Sequence, residues 1–245
     1  KPDENLERQA DELIDLIADA QDKDGYLNTF FTIKDTEKRW TNLLEGHELY
    51  CSGHLIEAAC TYYEATGKRK LLDIAVKNAE CIYDRFVKQN TEGIPGHPEI
   101  ELALLRLYRL TENKHFLELA KKFINERGKA PDFWAREAKK RSWSVWNSDP
   151  WGNDYRQSAK PVREQTEAVG HAVRAVYLYT GMADLAAETE DKELFAACRR
   201  LWENIVHRKM YITGGIGSTV QGEAFTVDYD LPPDTAYSET CAAIG

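Results

Sequence analysis

No stretch of this 245-residue chain approaches the roughly 18 consecutive apolar residues of a membrane-spanning helix, and no signal-peptide pattern opens it. A membrane partner is therefore not expected. Basic charge is also scarce: 32 Lys and Arg stand against 41 Asp and Glu, a net charge of −9. Such a chain lacks the basic face that a phosphate backbone requires, which excludes nucleic acid as a partner. Short runs such as Lys68-Arg69-Lys70 and Lys139-Lys140-Arg141 read as solvated turns. Five cysteines (51, 60, 81, 198 and 241) are odd in number and far apart, so no disulfide framework is implied. Reduced cysteines favour a cytoplasmic location, with a periplasmic or secreted one left open because the chain begins at Lys1 without methionine. The G-x-x-x-x-G-K-[ST] phosphate loop is missing as well.

What remains is an ordinary globular composition, 42% hydrophobic and 30% charged. At this length one domain buries roughly three quarters of its unfolded surface. Leu6, Ala10, Leu13, Ile14, Ile17 and Ala20 recur at helical spacing and predict a first amphipathic helix. An internal repeat follows: Thr66 to Ala75, Thr111 to Ala120 and Thr189 to Cys198 all read T-x-x-K-x-[LF]-[LF]-x-x-[AC]. In each copy the threonine closes one helix, polar residues turn, and paired apolar residues open the next.

The helices after each turn carry a single apolar stripe, as in Leu72, Ala75, Ala79, Ile82 and Phe86. Those before it (49–63, 99–110, 166–186) are apolar or small on most sides, which predicts burial between neighbours. An inner ring of buried helices and an outer ring of amphipathic ones make an all-α fold, an (α/α)6 toroid of helical hairpins. Only three hairpins and flanking helices are present, and Cys241-Ala-Ala-Ile-Gly has the texture of a helix just beginning. The chain is therefore expected to be part of a barrel, residues 1–245 of a larger catalytic domain. A one-dimensional helical solenoid is the competing architecture; the unequal repeat spacing of 45 and then 78 residues counts against it.

Gly-His precedes each buried helix, at Gly46-His47, Gly96-His97 and Gly170-His171. Singly, such a histidine is a structural residue; at equivalent points of three repeats the imidazoles are expected to ring one cavity. Between 125 and 161 the repeat is interrupted by a segment with tryptophans at 134, 143, 146 and 151. Indoles suit sugar faces, although each taken alone equally suits a loop stapled to its own helices.

The final stretch, from Met210, concentrates polar chemistry: glycines 214, 215, 217 and 222, then Glu223, then Asp228, Asp230 and Asp234. Glu223 is a candidate general acid/base. Glu239-x-Cys241 places a carboxylate and a thiol close enough to share zinc, although two ligands do not complete a site and Cys241 suits a buried inert role equally well. Cys60, Cys81 and Cys198 fall at apolar helical positions and are expected to pack as small core residues.

The segments GHELYCSGHLIEAACTYYEATGKRKLL, GHPEIELALLRLY, KPVREQTEAVGHAVRAVYLYTGMADLA, KMYITGGIGS and YSETCAAIG resemble glycoside hydrolase family 127, the β-L-arabinofuranosidases. The similarity extends over nearly the whole chain. It implies a retaining glycosidase on an (α/α)6 barrel whose nucleophile is a zinc-bound cysteine thiolate. By this resemblance the glutamate of G-E-A-F, Glu223, is the acid/base. Glu239 and Cys241 of E-T-C are zinc ligands, and His47, His97 and His171 contact the sugar. One departure matters: the family's adjacent cysteine pair, nucleophile and further ligand, lies downstream of E-T-C, and this chain contains no such pair. The intact protein is thus expected to be the enzyme and this piece alone inactive. The implied partner is an oligosaccharide or glycan substrate, with a homodimer left open. Two other readings compete: a non-catalytic helical scaffold, and a zinc-dependent toroid enzyme of another class, such as a thioether cyclase.

Overall fold

The computed structural model describes residues 3–147 and 149–245. Helix α1 (Glu4–Ala20) starts where the Asp3 carboxylate accepts the free N–H groups of Asn5 and Leu6. A short α2 (Thr29–Lys34) precedes three hairpins. These are α3 (Glu48–Thr66) with α4 (Lys70–Tyr83), α5 (Ile100–Thr111) with α6 (Lys114–Glu126), and, after α7 (Phe133–Lys140), α8 (Ala172–Thr189) with α9 (Lys192–Asn204). A five-residue α10 (Thr240–Ile244) follows near the C-terminus. No strand occurs among the described residues, only isolated bridges such as those joining Ala224 to His171 and to Thr219. Nor is any of their helices long and apolar enough to cross a membrane.

The repeated threonine has one job three times over. Thr66, Thr111 and Thr189 are the last residues of α3, α5 and α8, and each hydroxyl donates to the carbonyl four residues back at 2.7 Å. The next residue turns left-handed (Gly67, Glu112, Glu190), and its N–H returns to a last-turn carbonyl. Asn113 and Asp191 then cap α6 and α9 with their side chains.

The inner and outer layers are as the apolar pattern requires. Inner helix α5 packs against both α3 and α8, while α4, α6 and α9 back their own partners. Ala103, Leu104, Leu105 and Leu107 are wholly buried, as are Phe86, Phe116 and Phe123 on the outer stripes. Gly53 lets α3 meet the start of α5: a Cβ there would lie 2.5 Å from Glu99 Cγ. Cys60 is fully buried, Cys198 is half-buried against the core, and Cys81 is half-buried.

One boundary differs from expectation. The third inner helix begins at Ala172, not at 166. Gly170 is left-handed (φ 72), and the backbone of Asp154 and Tyr155 occupies the space a Cβ would need, so the chain arrives as a tightly packed loop. Behind these loops Arg127 is buried with Glu101 at 3.2 Å and donates to the carbonyls of Pro95 and Arg156, tying the loop before α5 to the insertion.

Candidate active site

The starts of the inner helices open on one face. His47 caps α3 in a left-handed conformation (φ 54), His171 caps α8, and His97 stands two residues ahead of the α5 cap, Glu99. The ring centroids are 6.3 Å apart for His47 and His97, and 5.5 Å for His97 and His171. All three line a cavity of about 570 Å³ together with Glu223, Glu239 and Cys241. The six residues singled out in the sequence therefore converge. A larger groove, about 700 Å³, runs between α1, α2 and α3. Its walls are mainly apolar, and its one carboxylate, Glu45, is held by Arg141, Ser144 and Asn42.

Hydrogen bonds assign the imidazole tautomers. His47 Nδ1 and His97 Nδ1 each lie 2.7 Å from a backbone carbonyl, of Glu45 and Pro98. A carbonyl only accepts, so both Nδ1 atoms carry the hydrogen and both Nε2 atoms are bare acceptors. His171 is reversed. Its Nδ1 accepts the Arg174 N–H at 3.2 Å, so Nε2–H donates to Glu223 Oε2 at 2.9 Å. Burial, reinforced by the Arg174 charge, drives His97 down to about 2 and His171 to about 4. Burial lowers His47 as well. Three neutral rings, two accepting and one donating, result.

Glu223 sits at a strained point of its loop (φ 52) directly after Gly222 (φ 74). Its carbonyl accepts from Ala172 N–H, and Phe225 N–H donates to the Gly170 carbonyl, so the loop is stitched to the start of α8. The carboxylate accepts from His171 Nε2 and from the Tyr237 hydroxyl at 3.1 Å, with the side chain 41% exposed.

Glu239 caps α10, and Cys241 Sγ makes a short contact with its Oε1, while Oε2 is buried without a partner. Burial and that carboxylate push the Cys241 thiol up to about 11. The carboxylate thus disfavours the thiolate beside it, a conflict a cation between them would reverse. An orphaned oxygen beside a sulfur fits half a zinc site. No group of three potential ligands exists among the described residues.

The tryptophans divide evenly. Trp146 and Trp151 line the cavity. Trp134 is buried with its N–H on Ser158 Oγ, and Trp143 packs against Phe31 with its N–H on Thr41 Oγ1. The acids at 228, 230 and 234 do not reach the cavity: Asp228 pairs with Arg208 at 2.7 Å, and the other two are exposed.

Several lining residues escaped the sequence reading. Tyr50 lies one turn after His47, and Arg174 one turn after His171. A charge in a helix apolar all round is a usable signal for Arg174. Tyr155 carries none. Glu99, which burial pushes up to about 8, faces His54 Nδ1 at 3.2 Å; a fourth Gly-His, Gly53-His54, marks this pair.

Residues 1–245 match the family described as Beta-L-arabinofuranosidase, GH127 catalytic domain. The chain belongs to the GH127 family. It is similar to a non-reducing end beta-L-arabinofuranosidase of Bifidobacterium longum subsp. longum, 44% identical over 99% of this chain and 38% of that protein. Among solved structures, a GH127 beta-L-arabinofuranosidase from Geobacillus stearothermophilus T6 superposes with a TM-score of 0.94 at 53% identity, covering 100% of this chain and 39% of that one. A GH127 beta-arabinofuranosidase superposes at 0.86 with 43% identity, over 99% of this chain and 37% of its own. The GH127 chain thus spans under two fifths of the length of these relatives. The likeness also decides the architecture for an α/α toroid over a solenoid.

Proposed function

We propose that this GH127 chain carries the acid/base and sugar-binding side of an exo-acting, retaining β-L-arabinofuranosidase that trims plant-derived glycans. The observation that carries the reading is the Glu223 carboxylate, held between two donors, His171 Nε2–H and Tyr237 OH, in a cavity whose other imidazoles present bare acceptors. In acid form Glu223 gives its proton to the leaving glycosidic oxygen. The carboxylate it becomes is the form those two donors stabilise, and it then takes a proton from the incoming water. His47 and His97 accept from sugar hydroxyls through Nε2, and Trp146 and Trp151 offer apolar faces to C–H groups.

Glu239 and Cys241 would supply two of the donors to zinc, with the rest, and the nucleophilic cysteine, outside this chain. Zinc there would supply the positive charge that lets a thiolate exist at neutral pH. Membership in GH127 and the activities of the similar proteins support this reading.

The test uses the protein encoded by the natural gene and a chromogenic β-L-arabinofuranoside. Glu223→Gln should lower kcat about 10²- to 10⁴-fold with an unchanged melting temperature. Unaffected turnover would remove the acid/base assignment. Metal analysis should find stoichiometric zinc that Cys241→Ala loses, and a metal-free active enzyme would overturn the zinc assignment alone.

A further inference from the structure

Three arginines are buried among the described residues: Arg127, Arg156 and Arg174. In the first two both terminal nitrogens are held by acceptors and only Nε is buried without a partner. Arg127 reaches Glu101 and two carbonyls, and Arg156 reaches Asp149 and the Gly152 carbonyl. Arg174 differs. It is only 4% exposed, its side chain donates to no acceptor among the described residues, and among them its buried Nε and Nη1 have no partner. A desolvated charge left unpaired is costly, and an otherwise well-bonded structure keeps one only where something else completes it.

The side chain lines the catalytic cavity. Its guanidinium carbon lies 4.8 Å from the centroid of Tyr155, and Tyr155 in turn stacks on Trp151 at 5.0 Å with 20° between the rings. Guanidinium, phenol and indole form a layered wall that fixes the orientation of the fork but accepts none of its N–H bonds in plane. Of the cavity carboxylates, Glu223 is engaged by His171 and Tyr237, and Glu239 meets Cys241 through Oε1. With two carboxylates in the cavity, a neutral polyol fits better than an anion. His47 and His97 take hydrogen bonds; the His171 N–H is given to Glu223, and Arg174 is a matching donor.

We propose that Arg174 is a further sugar-binding residue, its cavity-side N–H groups donating to ring or hydroxyl oxygens of the furanose. This rests on the functional reading above and deepens it. Arg174→Met keeps the stem and removes the fork; Arg174→Lys keeps the charge as a point donor. In the protein encoded by the natural gene, Arg174→Met should raise KM for the chromogenic arabinofuranoside and Ki for L-arabinose in parallel, roughly 10- to 100-fold, the range of a hydrogen bond from a charged donor. Arg174→Lys should recover part of that loss. Glu223→Gln, by contrast, should depress kcat and leave Ki near wild type.

A wild type that turns over while Arg174→Met keeps KM and Ki within twofold would overturn the assignment and leave the functional reading standing. If Arg174→Met does not fold, Arg174→Lys decides, and KM and Ki within twofold of wild type overturn the proposal. A wild type that releases no arabinose and does not bind it would bring down both readings together.

Discussion

The cavity has two sides of different construction. His47, His97 and His171 stand at the starts of helices packed into the wholly buried core of α3, α5 and α8, and each ring is locked by a bond to nearby backbone. Glu223, Tyr237, Glu239 and Cys241 belong to the loop-rich stretch after α9, held to the ring by backbone bonds such as Ala172 N–H to the Glu223 carbonyl. On the proposed function, the sugar-binding groups thus ride on the repeated scaffold, and the acid/base and zinc-ligand candidates on irregular chain. Repetition gives geometric precision for free, whereas strained, half-exposed acid chemistry is easier to build where backbone conformation is unconstrained by a helix.

The sharpest way to break that division is to damage each side in turn. Leu104 in α5 is fully buried at the centre of the inner layer, so Leu104→Ala should cost about 2–5 kcal/mol of stability in urea unfolding. Glu223→Gln should stay within about 0.5 kcal/mol of wild type. Comparable losses from both would mean that the loop side is part of the cooperative core, and the comparison would fail.

Acid offers a second, smaller lever, specific to the imidazole side. Unfolded histidine takes up a proton near pH 6.5, whereas His171 holds out to about 4 and His97 to about 2. The unfolded chain therefore binds more protons below 6.5, and the stability these rings allow is complete above that pH and lost as pH falls. Buried carboxyls act in the opposite sense: Glu48 is raised to about 7 and Glu99 to about 8, so the folded chain takes up protons first. The informative quantity is thus a difference. The stability of wild type relative to His97→Gln should fall by up to about 1.4 kcal/mol per pH unit between pH 6 and 4. A pH-independent difference would show that His97 is not held neutral.

The same division explains what was legible beforehand. Hairpins declare themselves because a stripe of apolar residues and a closing threonine are local signals, and Gly-His marks three equivalent positions. The start of the third inner helix was misplaced because Ala168 and Val169 continue the apolar texture. Their segment is in fact a loop, in which Ala168 is buried with its N–H satisfied by Asn204 Oδ1. Arg174 and Tyr155 were missed for a different reason. What distinguishes Arg174 is that it has no side-chain acceptor among the described residues, and that Tyr155 reaches it from the insertion is a long-range fact no spacing contains. Asp228 attracted notice by charge alone, yet its role is to hold Arg208 and Asn204.

The finest test lies where the two sides touch. Gly222 is left-handed, and a Cβ there would sit 2.9 Å from the Trp151 ring, which stacks on Tyr155 and, through it, on Arg174. Gly214 is left-handed as well (φ 86), but nothing lies within 4 Å of its would-be Cβ. Both Gly→Ala changes incur a similar backbone penalty, about 1–2 kcal/mol. Only Gly222→Ala must also displace the indole and disturb the wall of the proposed sugar site. It should therefore raise KM several-fold, while Gly214→Ala leaves KM unchanged at an equal melting temperature. Equal KM values for the two variants would mean that the aromatic wall is packing alone, and that the loop side orders the acid without shaping the sugar site.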